Sequence, residues 1–445
     1  MVGRVSAPAR LFGTDGVRGV AGEFLTAELA LALGRAAAAI APADAPQILI
    51  VRDTRESGEM LEAALAAGIA ARGGHALLGG VLPTPGAALL VRRFGLDMAA
   101  VVSASHNPYR DNGIKFFGPA GTKIDDDQER EIERIVAGAA GAAEPADGRV
   151  RELHGAGGDY LRELHARFVD LDLAGRRILL DCANGATHRV APEIFRRLGA
   201  HVETIAAEPD GRNINDGVGS THVDALAQRM TGGDFDAAFA FDGDGDRVLA
   251  VDRRGAVVDG DELIALAALH LRAAGRLPGD GVAVTVMTNY GFHQAMAAAG
   301  VNVATTPVGD RHVLAELIKR DWALGGEQSG HIIDTGFVPS GDGIASALLT
   351  LEALGERDLA DRDGMTKLPQ RLVNVRVGDR EALDGAKGVW DAVETESKAL
   401  EGRGRVLVRP SGTEPLVRVM VEAPDEDECE RVTRRLVEVV ERELA

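Results

Sequence analysis

Short apolar runs alternate with segments of helical period along most of this chain. Ile48–Asp53, Ala76–Val81 and Met98–Val102 read as strands. Ala27–Ala39, Glu59–Arg72 and Gly86–Phe94 read as the helices between them. Asp125–Val136 is a charged amphipathic helix, and the Ala/Gly/Pro-rich stretch Ala137–Gly148 marks a boundary. The alternation restarts with strands at Arg177–Asp181, His201–Ala206, Phe235–Phe241 and Val248–Asp252 around a helix at Val190–Leu198. A third cycle has helices at Glu262–Ala274, Phe292–Ala299, Arg311–Arg320 and Asp342–Leu354. Its strands are Val282–Met287, Val301–Thr305 and Trp322–Leu324. Gly355–Lys367 reads as a linker. The tail has strands at Leu372–Val377, Val406–Val408 and Leu416–Glu422, with helices at Ala382–Ala399 and Glu426–Leu444.

Strands alternating with helices predict sheets covered on both faces, and a strand-rich tail with helices on one side predicts an α+β unit. The expected fold is therefore α/β: three related α/β domains with mixed or parallel sheets and a smaller C-terminal α+β domain. Their expected extents are 1–150, 151–254, 255–366 and 367–445.

Composition narrows the function. A net charge of −19 argues against a nucleic-acid binder. No apolar run approaches the length of a membrane span. Only Cys182 and Cys429 are present, which suits a reducing cytoplasm rather than a disulfide framework. An anionic substrate would then need local positive charge, and Arg18, Lys115, Arg247, Arg409 and Arg418 all sit in or beside Gly- or Pro-rich loops.

Four loops carry candidate chemistry. Val101–Phe117, VVSASHNPYRDNGIKFF, runs from a buried strand into two clusters of turn formers, Ser105–Pro108 and Asp111–Gly113. It presents a serine hydroxyl at the carboxyl end of a strand, where open α/β sheets place ligands. Asp242–Arg247, DGDGDR, spaces three carboxylates by glycines, a pattern that converges oxygens on one hard cation such as Mg²⁺ or Ca²⁺. An EF-hand is excluded, because Arg247 and Arg253 stand where that loop needs glycine and glutamate. Gly325–His331, GGEQSGH, offers Glu327 and Ser329 to sugar hydroxyls and His331 as a proton carrier. Arg409–Pro415, RPSGTEP, reads as a phosphate cradle from Arg409, Ser411, Gly412 and Thr413, with Arg418 adding charge. A further glycine-rich loop, Leu11–Val20, brings Arg18 toward a phosphate. No Walker loop and no nucleophile elbow is present. The combination suits an intramolecular phosphoryl shift on a molecule with phosphate at either end.

GTDGVRG at Gly13–Gly19, SASHNP with DNGIKFF at Ser103–Phe117, DGDGDR, GEQSGH and RPSGTEP stand in this order over the full length. With them the chain resembles the bacterial α-D-phosphohexomutase superfamily, and GTDGVRG and GEQSGH look like its glucosamine branch. The resemblance implies four domains around a central cleft. It implies Ser105 carried as phosphoserine, with one Mg²⁺ per subunit held by Asp242, Asp244, Asp246 and a Ser105 phosphate oxygen. Lys115 and His331 are the implied proton-transfer residues, with Lys115 a base only if its pKa is lowered. Arg18 and Arg247 are implied at the active phosphate. Glu327, Ser329, His106, Asp310 and Arg311 are the implied substrate contacts. The implied reaction converts glucosamine 6-phosphate to glucosamine 1-phosphate on the route to UDP-N-acetylglucosamine, with glucose- or glucosamine-1,6-bisphosphate as activator. A cytoplasmic homodimer is expected, with a phosphosugar as its ligand and neither nucleic acid nor membrane as partner. A phosphomannomutase or phosphoglucomutase, a phosphatase-like hydrolase and a non-catalytic sugar-phosphate sensor are the alternatives. Val218 departs from the resemblance, where cysteine is expected in many relatives, and it lies outside the four loops.

Overall fold

The computed structural model describes residues 10–13, 15–138, 147–411 and 415–444. The chain folds as two compact units, Met1–Val286 with Ala304–Arg362, and Met287–Val303 with Asp363–Ala445.

In the first unit, the sheet that carries the serine loop has six strands. Their order is Val17–Val20, Asp111–Phe117, Met98–Val102, Gln47–Arg52, His75–Val81 and Arg149–Glu152. Met98–Val102 is buried along its whole length, as a central strand of small and branched residues must be. It runs parallel to Gln47–Arg52 and antiparallel to Asp111–Phe117. The connection Ser103–Arg110 is too short for a crossover, so the chain returns as a hairpin and the sheet is mixed. Helices Ala27–Ile40 and Gly58–Ala71 cover this sheet with the apolar core centred on Leu33, Leu65 and Ile69.

Asp111–Gly113, expected as a turn, instead opens a strand. Asn112 is fully buried opposite Gly19, and its side-chain amide donates to Ser57 Oγ at 2.9 Å. Pairing with Val17–Val20 overrides the local turn preference.

The second sheet, in the order Val257–Val258, Val248–Asp252, Ala237–Phe241, Arg177–Asp181 and His201–Ile205, ends its central strand at the acidic loop. The third places Gly281–Thr285 beside Leu324–Gly326, followed by Ile332–Asp334 and Val338–Gly341, with Asn302–Thr306 at its edge. Periodicity did not mark the helices Ala156–Arg167 and Asp224–Gly232, the hairpin Ile332–Gly341, or the strands Val17–Val20, Arg149–Glu152 and Val257–Val258. The stretch expected as a linker is docked over its first part. Leu359 is buried, and Arg362 pairs with Asp252 at 2.9 Å and Glu262 at 2.7 Å.

The second unit carries a three-stranded antiparallel sheet, Gln370–Arg376, Leu416–Glu422 and Arg405–Pro410, with Leu416–Glu422 in the middle. Helix Glu426–Leu444 packs its buried stripe of Cys429, Val432, Leu436 and Val440 into that core. The helix expected at Ala382–Ala399 is broken into a 3₁₀ turn, Glu381–Gly385, and a helix, Lys387–Ala399. Gly385 at the junction weakens helical continuity there. Among the described residues, no helix is long and apolar enough to cross a membrane.

Candidate active site

Ser105 sits at the top of Met98–Val102 with φ of 52°, a left-handed conformation that costs a non-glycine residue energy and must be enforced. Arg55 enforces it. This fully buried arginine donates to the carbonyls of Ser105 at 3.0 Å, Asn107 at 2.8 Å and Asp111 at 2.9 Å, and to that of Pro108. Its Nε is held by Asp53 at 2.8 Å, and Asp53 also accepts from Ser103 Oγ at 2.6 Å. Asn215 adds an amide donor to the Ser105 carbonyl at 2.9 Å. The hydroxyl is therefore fixed, and it donates to Asp242 Oδ2 at 2.6 Å. His106 Nδ1 lies 3.3 Å from Ser105 Oγ. Burial, then the charges of Arg247 and Arg18, lower the pKa of the His106 ring and keep it neutral.

The acidic loop is built for close approach. A Cβ on Gly243 would lie 2.6 Å from the Ser105 carbonyl oxygen, and Gly245 has φ of 72°. The glycines between the aspartates thus let the loop touch the serine turn. Asp242, Asp244 and Asp246 are all buried, with one oxygen from each within 4.8 Å of the others. Burial, then the neighbouring Asp246 and Asp244, push the Asp242 carboxyl well above the usual range. Asp244 Oδ1 and Asp246 Oδ1 are buried without a hydrogen-bond partner. Three crowded carboxylates with orphaned oxygens form a donor set that fits a hard divalent cation. Thr84 Oγ1 supports the loop by donating to Asp244 Oδ2 at 2.6 Å.

Lys115 Nζ lies 2.8 Å from Asp244 and 3.3 Å from Asp15. Burial alone would lower its pKa, but Asp15, Asp244 and Asp246 outweigh it and raise the value well above the ordinary one. The condition under which Lys115 could serve as a base, a lowered pKa, is opposed by these carboxylates, which hold the ammonium charged.

His331 Nδ1 lies 3.5 Å from Asp246 Oδ2, and its Nε2 accepts from the Gly341 N–H at 3.1 Å. Two influences oppose each other here. Asp246 and Asp310 overcome burial and raise the pKa, while the Gly341 bond needs a free lone pair on Nε2. The Gly341 contact suits a ring with its proton on Nδ1, facing Asp246, while the two carboxylates favour a second proton. A proton arriving at Nε2 would displace Gly341 and find Asp310 Oδ2, 3.7 Å away.

Arg18 and Arg247 reach the same neighbourhood. Arg18 contacts Asp15 and lies 3.4 Å from the Ala104 carbonyl, and Arg247 Nε lies 3.9 Å from Asp246. Glu327 is tied back, accepting from the Gly309 N–H at 3.0 Å. Ser329 is exposed. Asp310 faces Lys123 at 2.6 Å, and Arg311 turns to Asp126 and Glu129 on helix Asp126–Gly138.

In the second unit, Arg409 and Arg418 are registered opposite each other on antiparallel strands. Burial and the Arg418 charge lower the Arg409 pKa, and Arg418 Nε is buried without a hydrogen-bond partner. Ser411 Oγ is likewise buried and unpartnered. Gly412 and Thr413 lie outside the described residues.

Sequence reasoning missed Arg55, Asn215, Thr84 and Lys123. The rule that pointed to Ser105, ligands at the carboxyl ends of strands, also points to Asp53–Arg55 after the neighbouring strand. Lys123 has no local signal, because its partners are remote in sequence.

Profiles for phosphoglucomutase/phosphomannomutase match this chain in order. The alpha/beta/alpha domain I matches residues 9–141, domain II 158–255, domain III 259–372 and the C-terminal domain 372–439. The chain belongs to this family, and with it to the phosphohexomutases. A phosphoglucosamine mutase from Moorella thermoacetica is 49% identical over 439 residues, covering 97% of this chain and 99% of the relative. One from Mycolicibacterium paratuberculosis is 48% identical over 441 residues, with 97% and 99% coverage. A phosphoglucomutase/phosphomannomutase family protein from Burkholderia thailandensis shares the fold with a TM-score of 0.81 at 23% identity, covering 97% of each chain.

Proposed function

We propose that this chain interconverts glucosamine 6-phosphate and glucosamine 1-phosphate through a phosphoserine at Ser105 and a bisphosphorylated sugar. The observation that carries the reading is the buried Ser105 hydroxyl on Asp242, in a loop of three crowded carboxylates flanked by Lys115 and His331. The glucosamine substrate is supported by the names of relatives nearly half identical over almost the full length.

In the forward half-reaction, the phosphoserine P–O bond breaks and a P–O bond forms to the sugar hydroxyl. Ser105 Oγ leaves toward Asp242. In the second half, a P–O bond forms from Ser105 Oγ to the other phosphate, the P–O bond to that sugar oxygen breaks, and the sugar oxygen takes the proton held on His331. Mg²⁺, held by Asp242, Asp244, Asp246 and a phosphoserine oxygen, would supply charge neutralisation for the transferring group. Arg55, Asp53 and Asn215 keep Ser105 in its strained turn through both halves, which is the positioning that phosphoryl transfer needs. Lys115, held as an ammonium, donates hydrogen bonds to the developing charge. His331 accepts the sugar hydroxyl proton at Nε2 by giving up its bond from the Gly341 N–H, and Asp310 stabilises the cation formed. Arg18 and Arg247 add positive charge beside Ser105. Glu327 and Ser329 serve sugar hydroxyls. Arg409, Ser411 and Arg418 suit a phosphate because the two arginines face each other and, among the described residues, neither is paired with a carboxylate.

Glucose- or glucosamine-1,6-bisphosphate is the activator in this reading, and the enzyme is a cytoplasmic homodimer. Free, buried Cys182 and Cys429 are in keeping with a reducing compartment.

The test is peptide mapping and turnover with Mg²⁺ and bisphosphate. Wild type is expected to carry phosphate on Ser105 and form glucosamine 1-phosphate, while Ser105→Ala carries none and loses activity. Full activity of Ser105→Ala would end the mechanism. Turnover of only glucose or mannose phosphates would keep the mechanism and change the substrate.

A further inference from the structure

Lys123 lies outside every motif that carries the chemistry, yet its side chain is largely withdrawn from solvent, 15% exposed, among the site's charges. It stands between strand Asp111–Phe117 and helix Asp126–Gly138. Its Nζ contacts Asp15 Oδ1 and lies 2.6 Å from Asp310 Oδ2. Asp15 belongs to the Gly-rich loop of the first family domain. Asp310 opens helix Asp310–Arg320 of the third.

Each carboxylate also faces the chemistry, Asp15 through its other oxygen and Asp310 through the same one. Asp15 Oδ2 is 3.3 Å from Lys115 Nζ, and Asp310 Oδ2 is 3.7 Å from His331 Nε2. One ammonium is thus shared by the two carboxylates that neighbour Lys115 and His331. Withdrawing an ammonium from water costs several kcal/mol unless it is paired, and these two carboxylates do the pairing. Without Lys123 they would repel. Asp15 would keep Arg18 and Lys115 as partners, while Asp310 would keep the more distant His331 and the Arg311 N–H, which donates to its Oδ1 at 2.8 Å.

We propose that Lys123 is a positioning residue for the mutase reaction: it clamps Asp15 of one domain to Asp310 of another, so that Lys115 and His331 face the phosphoryl group from fixed places. The inference rests on the mutase reading above and assigns Asp310 to the clamp. With Nζ committed to the two carboxylates, Lys123 sets geometry rather than affinity. A misplacement of about 1 Å costs up to roughly 100-fold in rate. The expected signature is therefore in kcat and not in KM.

The experiment is a double-mutant cycle on the full chain with Mg²⁺ and bisphosphate. Wild type is measured on glucosamine 6-phosphate and, should it refuse that sugar, on glucose and mannose 6-phosphates. Failure of the substrate reading then shows in wild type, and failure of the clamp shows in the variants. Lys123→Met is expected to lower kcat by about 10- to 100-fold with KM changed less than about threefold. Asp310→Asn should do the same. Lys123→Met with Asp310→Asn should be no worse than the poorer single variant, because both remove one clamp. Should Lys123→Met fail to fold, Asp310→Asn and the double variant, which leave no unmatched carboxylate at Asp310, carry the test. Wild-type kcat in Lys123→Met, a change confined to KM, or losses that multiply in the double variant would each overturn the clamp. Absence of turnover by wild type on all three sugars would overturn it together with the mutase reading.

Discussion

Replacing Arg55 by methionine tests whether the serine turn is imposed by its surroundings. The guanidinium makes an ion pair with Asp53 at 2.8 Å and hydrogen bonds to four carbonyls of the loop, those of Ser105, Asn107, Pro108 and Asp111. Both partners of the ion pair are fully buried. Breaking such a pair from one side costs about 3–5 kcal/mol, because the other charge stays uncompensated. Asp53 keeps two acceptor contacts, with the Arg55 N–H at 3.0 Å and Ser103 Oγ at 2.6 Å, so the lower end of that range applies. Each carbonyl left without a donor adds to the loss unless the loop opens to water, and opening is the cheaper course. The loss should therefore fall on local opening of Ser103–Asp111. About 3 kcal/mol corresponds to roughly 100-fold lower protection of the Ser105 and Asn107 amides in hydrogen exchange. In the same variant Ser105, freed from φ of 52°, should take up phosphate from bisphosphate far more slowly. Protection of the two amides within threefold of wild type, together with a normal rate of Ser105 phosphorylation, would refute the reasoning.

Two further outcomes follow from buried charges elsewhere. Burial raises the Asp342 carboxyl to about 6 from an ordinary 3.8, even though it accepts from Tyr160 Oη at 2.8 Å and caps Ala345 at 2.9 Å. A folded-state pKa above the unfolded one means the folded protein binds this proton more tightly, so the penalty is full above pH 6 and disappears as pH falls toward 4. Asp342→Asn should therefore be more stable than wild type by about 2–3 kcal/mol at pH 8, with the difference closing below pH 6 in chemical denaturation; a difference independent of pH would contradict this. In the second unit, Arg409→Gln should leave stability unchanged or raise it by up to about 1 kcal/mol, because it removes a like charge facing Arg418. It should also raise KM for the sugar phosphate about tenfold or more, and an unaltered KM would remove Arg409 from phosphate binding.

Elements governed by local pattern were legible in the chain itself. Helix Glu426–Leu444 was marked by its amphipathic period over the span it occupies, and strands Arg177–Asp181 and Val248–Asp252 by short apolar runs. The acidic loop was legible because alternating aspartate and glycine has few uses other than gathering oxygens. The Ser105 turn was legible because turn formers followed a buried strand. In each case the signal lies within one short stretch, where side-chain period and backbone preference act directly.

Tertiary structure decided what depends on partners far apart in sequence. Asp111–Gly113 became a strand because Val17–Val20 pairs with it. The direction of the Lys115 shift was set because Asp15 and Asp244 converge on one Nζ from positions on either side of it in the chain. Arg55 and Lys123 gained their roles only when folding brought loop carbonyls and carboxylates around them. Residue order thus supplied the donors, hydroxyls and carboxylates of this site. Burial and distance, which no local pattern encodes, determined their charge states and which of them act together.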